Sequence, residues 1–219
     1  MKKLLLSTVL LSFITFANAQ ITIDSTDYAT VGDTIILAID SIPISVVSVG
    51  DTGAQAWDFT SLQIDGFDTL IFVHPDSTAF GGNFPSSNLA TEDTIITNYQ
   101  TSSATKLTND GFAGDPFGFG VLASAVFDPP LKILDFPSTF NDSFMDTSKF
   151  VAVIDAAPLG LPVPNLDSIK DIHYSYVNSQ IDAYGTVDIP SGSFNTIRQF
   201  YTENTIDSIF IYCSDSAGC

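Results

Sequence analysis

The chain has 219 residues, of which 45% are hydrophobic, 12% aromatic and 15% charged, with Lys+Arg 7 against Asp+Glu 25 for a formal net charge of -18. This globular composition, in a chain long enough to bury a core without staples, excludes disordered and fibrous classes. Arg198 is the only arginine, too little cationic surface to displace counterions, so nucleic acid is not expected as a partner.

Lys2 and Lys3 precede the apolar run Leu4 to Phe16, which Ala17-Asn18-Ala19 follows. A charged start, a short apolar stretch and a small-x-small ending form the pattern of a cleaved secretory signal, with the cut between Ala19 and Gln20. The run falls short of the roughly 20 residues that a membrane-spanning helix needs, and no later stretch is longer. No membrane-spanning segment is therefore expected, and the chain reads as secreted, extracellular or on the outer cell surface. Loss of Lys2 and Lys3 leaves five cations against 25 acids, an anionic surface that hydrates well and repels its like.

From Gln20 onward, Glu92 and Glu203 are the only glutamates, while Ile, Val, Thr, Phe and Tyr fill the runs between turn residues. Such runs favour strands. They are predicted over Thr34 to Ile39, Ile44 to Val49, Thr69 to His74, Thr94 to Gln100, Val121 to Phe127 and Phe150 to Ile154. Several open on Asp with Ser or Thr, as at Asp33-Thr34, Asp68-Thr69, Asp93-Thr94 and Asp207-Ser208, where the carboxylate can accept bonds from N–H groups just ahead. Gly111 to Gly120 and Ala157 to Pro164 read as long connections. Ile172, Tyr174 and Tyr176 then alternate with Asp171, His173 and Ser175, giving the apolar and polar faces of a half-buried strand. Pro190-Ser191-Gly192 and Asn204-Thr205 divide Ile181 to Ile189, Phe194 to Tyr201 and Ile206 to Tyr212 into an antiparallel meander. The expected fold is all-β, a single domain over residues 20–219, built as an antiparallel two-layer sandwich or a strongly curved sheet closing toward a half-barrel.

Three stretches carry a resemblance. Gly53-Ala54-Gln55-Ala56-Trp57-Asp58-Phe59-Thr60-Ser61-Leu62, Leu131-Lys132-Ile133-Leu134-Asp135-Phe136-Pro137 and Asp182-Ala183-Tyr184-Gly185-Thr186-Val187-Asp188-Ile189-Pro190-Ser191-Gly192-Ser193-Phe194 are similar to segments of secreted Bacteroidota proteins. Many of those proteins end in a type IX secretion system sorting domain. Ala183 stands where their pattern has Gly. The resemblance implies export, surface attachment or release, and a β-rich N-terminal module, without assigning an activity to any residue. Because Cys219 follows directly on a predicted strand, a C-terminal continuation of the chain is expected.

The residues that could carry chemistry are few. Cys213 and Cys219 bracket five residues in an exported chain, which suits a small-loop disulfide, the alternatives being a partner elsewhere in a longer chain or two free thiols. Two Cys and two distant His make a poor zinc site, and His74 and His173 read as ordinary surface or turn histidines. No Gly-x-Ser-x-Gly elbow is present. Asp58 beside Trp57 reads as a structural aspartate near a buried aromatic. Calcium, which takes Asp, Asn and carbonyl oxygens, is the one ion with candidate ligands, at Asn109, Asp110 and Asp115, with a weaker set at Asp65 and Asp68; no other cofactor is indicated. The expected role is a non-enzymatic secreted or cell-surface module, a structural or adhesive part of a type IX-exported protein that meets an extracellular protein or glycan surface. The alternative is a carbohydrate-binding or polysaccharide-acting protein, for which Phe112, Phe117 and Phe119 would form the binding platform.

Overall fold

The computed structural model describes residues 21–42, 48–93, 95–115, 118, 120–161, 163 and 165–214. The signal-like segment with Ala19 and Gln20, most of the strand expected over Ile44 to Val49, Phe117, Phe119 and Cys219 lie outside them. Among the described residues, ten strands form two sheets, and the only helices are three-residue 3-10 turns. The first sheet is antiparallel and holds β1 (Thr34–Ile39), β3 (Gly66–Val73), β4 (Leu89–Glu92), β5 (Ile96–Ser102), β6 (Lys106–Gly114) and β7 (Ala123–Asp135) in that order. The second is built around β9 (Leu166–Ile189) and β10 (Gly192–Cys213), paired antiparallel along their length. The other side of β9 is shared: β8 (Ser143–Asp155) pairs antiparallel with its first half, and β2 (Gly53–Asp58) runs parallel to its second. The fold is all-β, with no closed barrel, as the sequence implies.

The sheets meet through one core. Ala125, Phe127 and Leu131 of β7 pack with Phe150 of β8 and Val177 of β9, and Phe112, Ala152 and Tyr201 lean on them. Phe112 sets its ring edge-on to Phe150 at 5.6 Å, so it is a core residue and not part of an exposed platform. A second cluster, with Phe84 stacked on Tyr99 at 3.9 Å, seals the first sheet beneath the segment between β3 and β4.

Three expectations are corrected. The connection expected from Gly111 begins only after Gly114, because β6 continues that far on pairings with β5 and β7. The meander is one hairpin: β10 passes through Asn204 and Thr205, whose partners are Tyr176 and Ser175. A continuous β9 offers hydrogen-bond partners at every step, and this template outweighs the local turn preference of Asn. At a rise of roughly 3.3 Å per residue, the 24 residues of β9 span about 80 Å. Third, the faces of β9 are exchanged. Ser175, Val177, Ser179 and Ile181 are buried, while Tyr174 and Tyr176 are exposed. The inward phase is set by Val177, which packs with Ala125, Phe127 and Leu131 of the other sheet, and period 2 then carries Asp171 and His173 inward with it.

Candidate functional site

Two clusters of charged side chains sit on the β9–β10 hairpin, one toward its tip and one toward its base. Near the tip, the pairing slips by one residue: Arg198 faces Ala183, whereas Gln199 faces Ile181. Asp182 is the extra residue of this bulge. Its carboxylate, largely buried, accepts from Arg198 Nε at 2.8 Å and Nη2 at 2.9 Å. Arg198 also donates from Nη1 to the carbonyls of Val49 and Gly50, and from Nη2 to that of Asp51. These acceptors number five, which equals the N–H donors of a guanidinium. Its plane lies 5.9 Å from the Trp57 ring, whose Nε1 donates to the same Val49 carbonyl at 2.8 Å. The Asp182 bonds hold the Arg198 guanidinium above the usual arginine range. The group is fully matched and has no donor left for a ligand, so we read it as a structural pin. It joins the strand that carries Gly53 to Asp58 to the segment from Ala183 to Asp188. Gln199 Nε2 adds a bond to Ile133 O of β7 at 2.7 Å, so all three stretches that carry the resemblance meet here. Ala183 is an extended, wholly buried strand residue.

Toward the base, Asp171, His173 and Ser175 lie on one face of β9, and Asp207 of β10 is the cross-strand partner of His173. His173 Nδ1 is 2.5 Å from Asp207 Oδ1, and Nε2 is 2.9 Å from Ser175 Oγ. Phe150 stacks flat on the imidazole at 4.6 Å. Ligand atoms of Asp171, His173 and Asp207 all lie within 4.8 Å of one another. Asp171 Oδ1 is buried without a hydrogen-bond partner. Burial, and then the charge of Asp207, push the Asp171 carboxyl above the usual carboxylate range, with His173 opposing. Both carboxylates open on a cavity of about 480 Å³, otherwise lined by Ile154, Leu159, Leu161, Ile169 and Ile209. The sequence of carboxylate, imidazole and hydroxyl matches a hydrolytic triad, but Ser175 has 0% exposure and cannot reach a substrate. Its hydroxyl orients the ring instead.

The residues named from the sequence are placed elsewhere. Asp110 is buried and accepts from the hydroxyls of Ser87, Thr101 and Thr108 at 2.7, 2.5 and 2.9 Å. Asn109 Oδ1 accepts from Gly111 N, and Asp115 Oδ2 from Gly120 N. Each is thus engaged in its own local bonds. Asp65 accepts from Ser41 and Asp68 from the N–H of Thr69. Asp58 accepts from the N–H and hydroxyl of Thr60 next to the buried Trp57, the structural role expected of it. His74 caps a 3-10 turn by accepting from Asp76 N. Cys213 is disulfide-bonded; Cys219 lies outside the described residues.

Sequence reading missed the pairing of His173 with Asp207, because an unbulged hairpin across Pro190-Ser191 would set Ser208 opposite His173. The slip at Asp182 brings Asp207 there instead. Compared with known protein families, curated proteins and solved structures, the chain matches none.

Proposed function

We propose that this chain is a non-enzymatic module of an exported protein, structural or adhesive in role, that works at the outer cell surface or in the extracellular medium. The observation that carries the reading is β10. It is the outer strand of its sheet and 22 residues long, and Phe200, Ile206, Ile209 and Ile211 on it are each more than half exposed. An extended apolar edge on a chain of net charge -18 is the kind of surface that marks an interaction site on an otherwise well-hydrated protein. Leading residues with the pattern of a secretory signal support export. The resemblance to type IX-exported proteins supports delivery to the surface.

The test is retention of the exported, processed chain on intact cells of its source. Retention that an Ile206→Asn, Ile209→Asn pair abolishes, and that free polysaccharide leaves unchanged, is the expected result. Retention competed away by a polysaccharide and indifferent to the two substitutions would overturn the reading in favour of a carbohydrate-binding protein. No retention would overturn the outer-surface half of the reading and leave the extracellular medium as the place where the module works.

A further inference from the structure

Beyond that role, we propose that Asp171, His173 and Asp207 form a binding site for one divalent transition-metal ion of the zinc class. Ligand atoms that share such an ion at about 2.0–2.2 Å lie within roughly 4.4 Å of one another. The observed limit of 4.8 Å needs only a few tenths of an ångström of side-chain movement. All three residues project from adjacent rungs of a paired hairpin, a rigid frame for a site.

Three observations converge. His173 Nδ1 lies 2.5 Å from Asp207 Oδ1 and Nε2 lies 2.9 Å from Ser175 Oγ. An ion on Nδ1 would take the place of its hydrogen, with Nε2 then donating to the Ser175 hydroxyl. An outer hydroxyl that fixes the free nitrogen of a ligating imidazole is a recurrent feature of metal sites. The second observation is Asp171 Oδ1, which is, among the described residues, the buried side-chain atom left without a partner. A buried carboxylate oxygen in that state is costly, and an ion shared with His173 would satisfy it. Third, two carboxylates face one imidazole, so negative charge is in excess even when the ring carries both protons. The tip cluster, by contrast, balances donors and acceptors. A mixed nitrogen and oxygen donor set favours zinc, manganese or cobalt over calcium, which prefers oxygen alone. The adjoining cavity of about 480 Å³ leaves room for a further ligand on the ion.

The probe is zinc itself, titrated calorimetrically into the full chain after chelator treatment, in a His74→Gln background that removes the other histidine. One equivalent should bind and raise the unfolding midpoint. Asp171→Asn should weaken binding by at least about tenfold, the effect that even an outer partner of a metal site can have. Its metal-free unfolding midpoint should be unchanged or higher, since the substitution removes the repulsion between Asp171 and Asp207. That separates loss of a ligand from loss of the fold, which His173→Asn alone would not do because His173 packs on Phe150. Zinc binding that fails to saturate by millimolar concentration would overturn the proposal. So would binding that Asp171→Asn and Asp207→Asn leave unchanged.

Discussion

The two ends of the β9–β10 hairpin carry the same kinds of group and use them in opposite ways. At the tip, one guanidinium meets a carboxylate and three carbonyls, and each of its N–H donors is matched. At the base, two carboxylates crowd one imidazole and a buried oxygen stays unpartnered. Charge burial is tolerated where it is paired and is costly where it is not. The first cluster therefore belongs to stability, and the second is where a ligand would relieve an imbalance. The bulge links them: Asp182 is both the acceptor of the pin and the extra residue that sets Asp207 opposite His173.

The contrast can be broken first at the pin. Arg198→Met leaves the Asp182 carboxylate buried without its partner and should cost roughly 3–5 kcal/mol, read from urea denaturation of the full chain. A loss below about 1 kcal/mol would mean that the pin is a surface pair of little weight. Gly185→Ala should cost roughly 2–4 kcal/mol, because φ there is +152° and an added Cβ would lie 1.8 Å from Gln55 O of β2. A crystal structure of that variant should show β2 displaced from β9.

Between the two ends, burial pushes the Tyr201 hydroxyl up to about 12 from its ordinary 10.0, with Glu203 and Asp146 adding to the shift. Folding favours the neutral phenol, so the stabilisation is complete below pH 10.0 and is lost as the pH rises toward about 12. Tyr201→Phe should flatten that part of the stability profile, which chemical denaturation across the alkaline range would record. The smallest effect belongs to the base. Asp171→Asn in the metal-free protein should raise stability at neutral pH by a few tenths of a kcal/mol, the opposite sign to Arg198→Met. Because the Asp171 carboxyl is raised in the fold, the wild type gains on the variant as acid protonates it, and the difference should narrow below the neutral range.

Much of the fold is legible in the residues. β1 is found over Thr34–Ile39 as predicted, the turn at Pro190-Ser191 closes the hairpin, and the all-β class follows from the scarcity of helix formers. The faces of β9 were not legible locally. Tyr174 and Tyr176 look like core residues, yet Val177 sets the phase through contacts with β7 of the other sheet, far away in sequence. Nor was β2 legible: its one strand partner among the described residues is β9, in parallel, a pairing that needs a distant segment. The base cluster stayed hidden for both reasons. His173 falls on the face that alternation assigns to solvent, and Asp207 reaches it only through a bulge that turn counting does not foresee.

The most direct test of the contrast between the ends is an NMR record of the His173 ring nitrogens in the full-length His74→Gln chain as zinc is added. One equivalent of zinc should leave Nδ1 without a hydrogen and shifted by the ion while Nε2 carries the hydrogen toward Ser175, and Asp171→Asn should remove the change at the same zinc concentration. Ring nitrogens that ignore zinc, or a shift at Nε2 with Nδ1 untouched, would contradict this account and would leave both clusters as structural pairs.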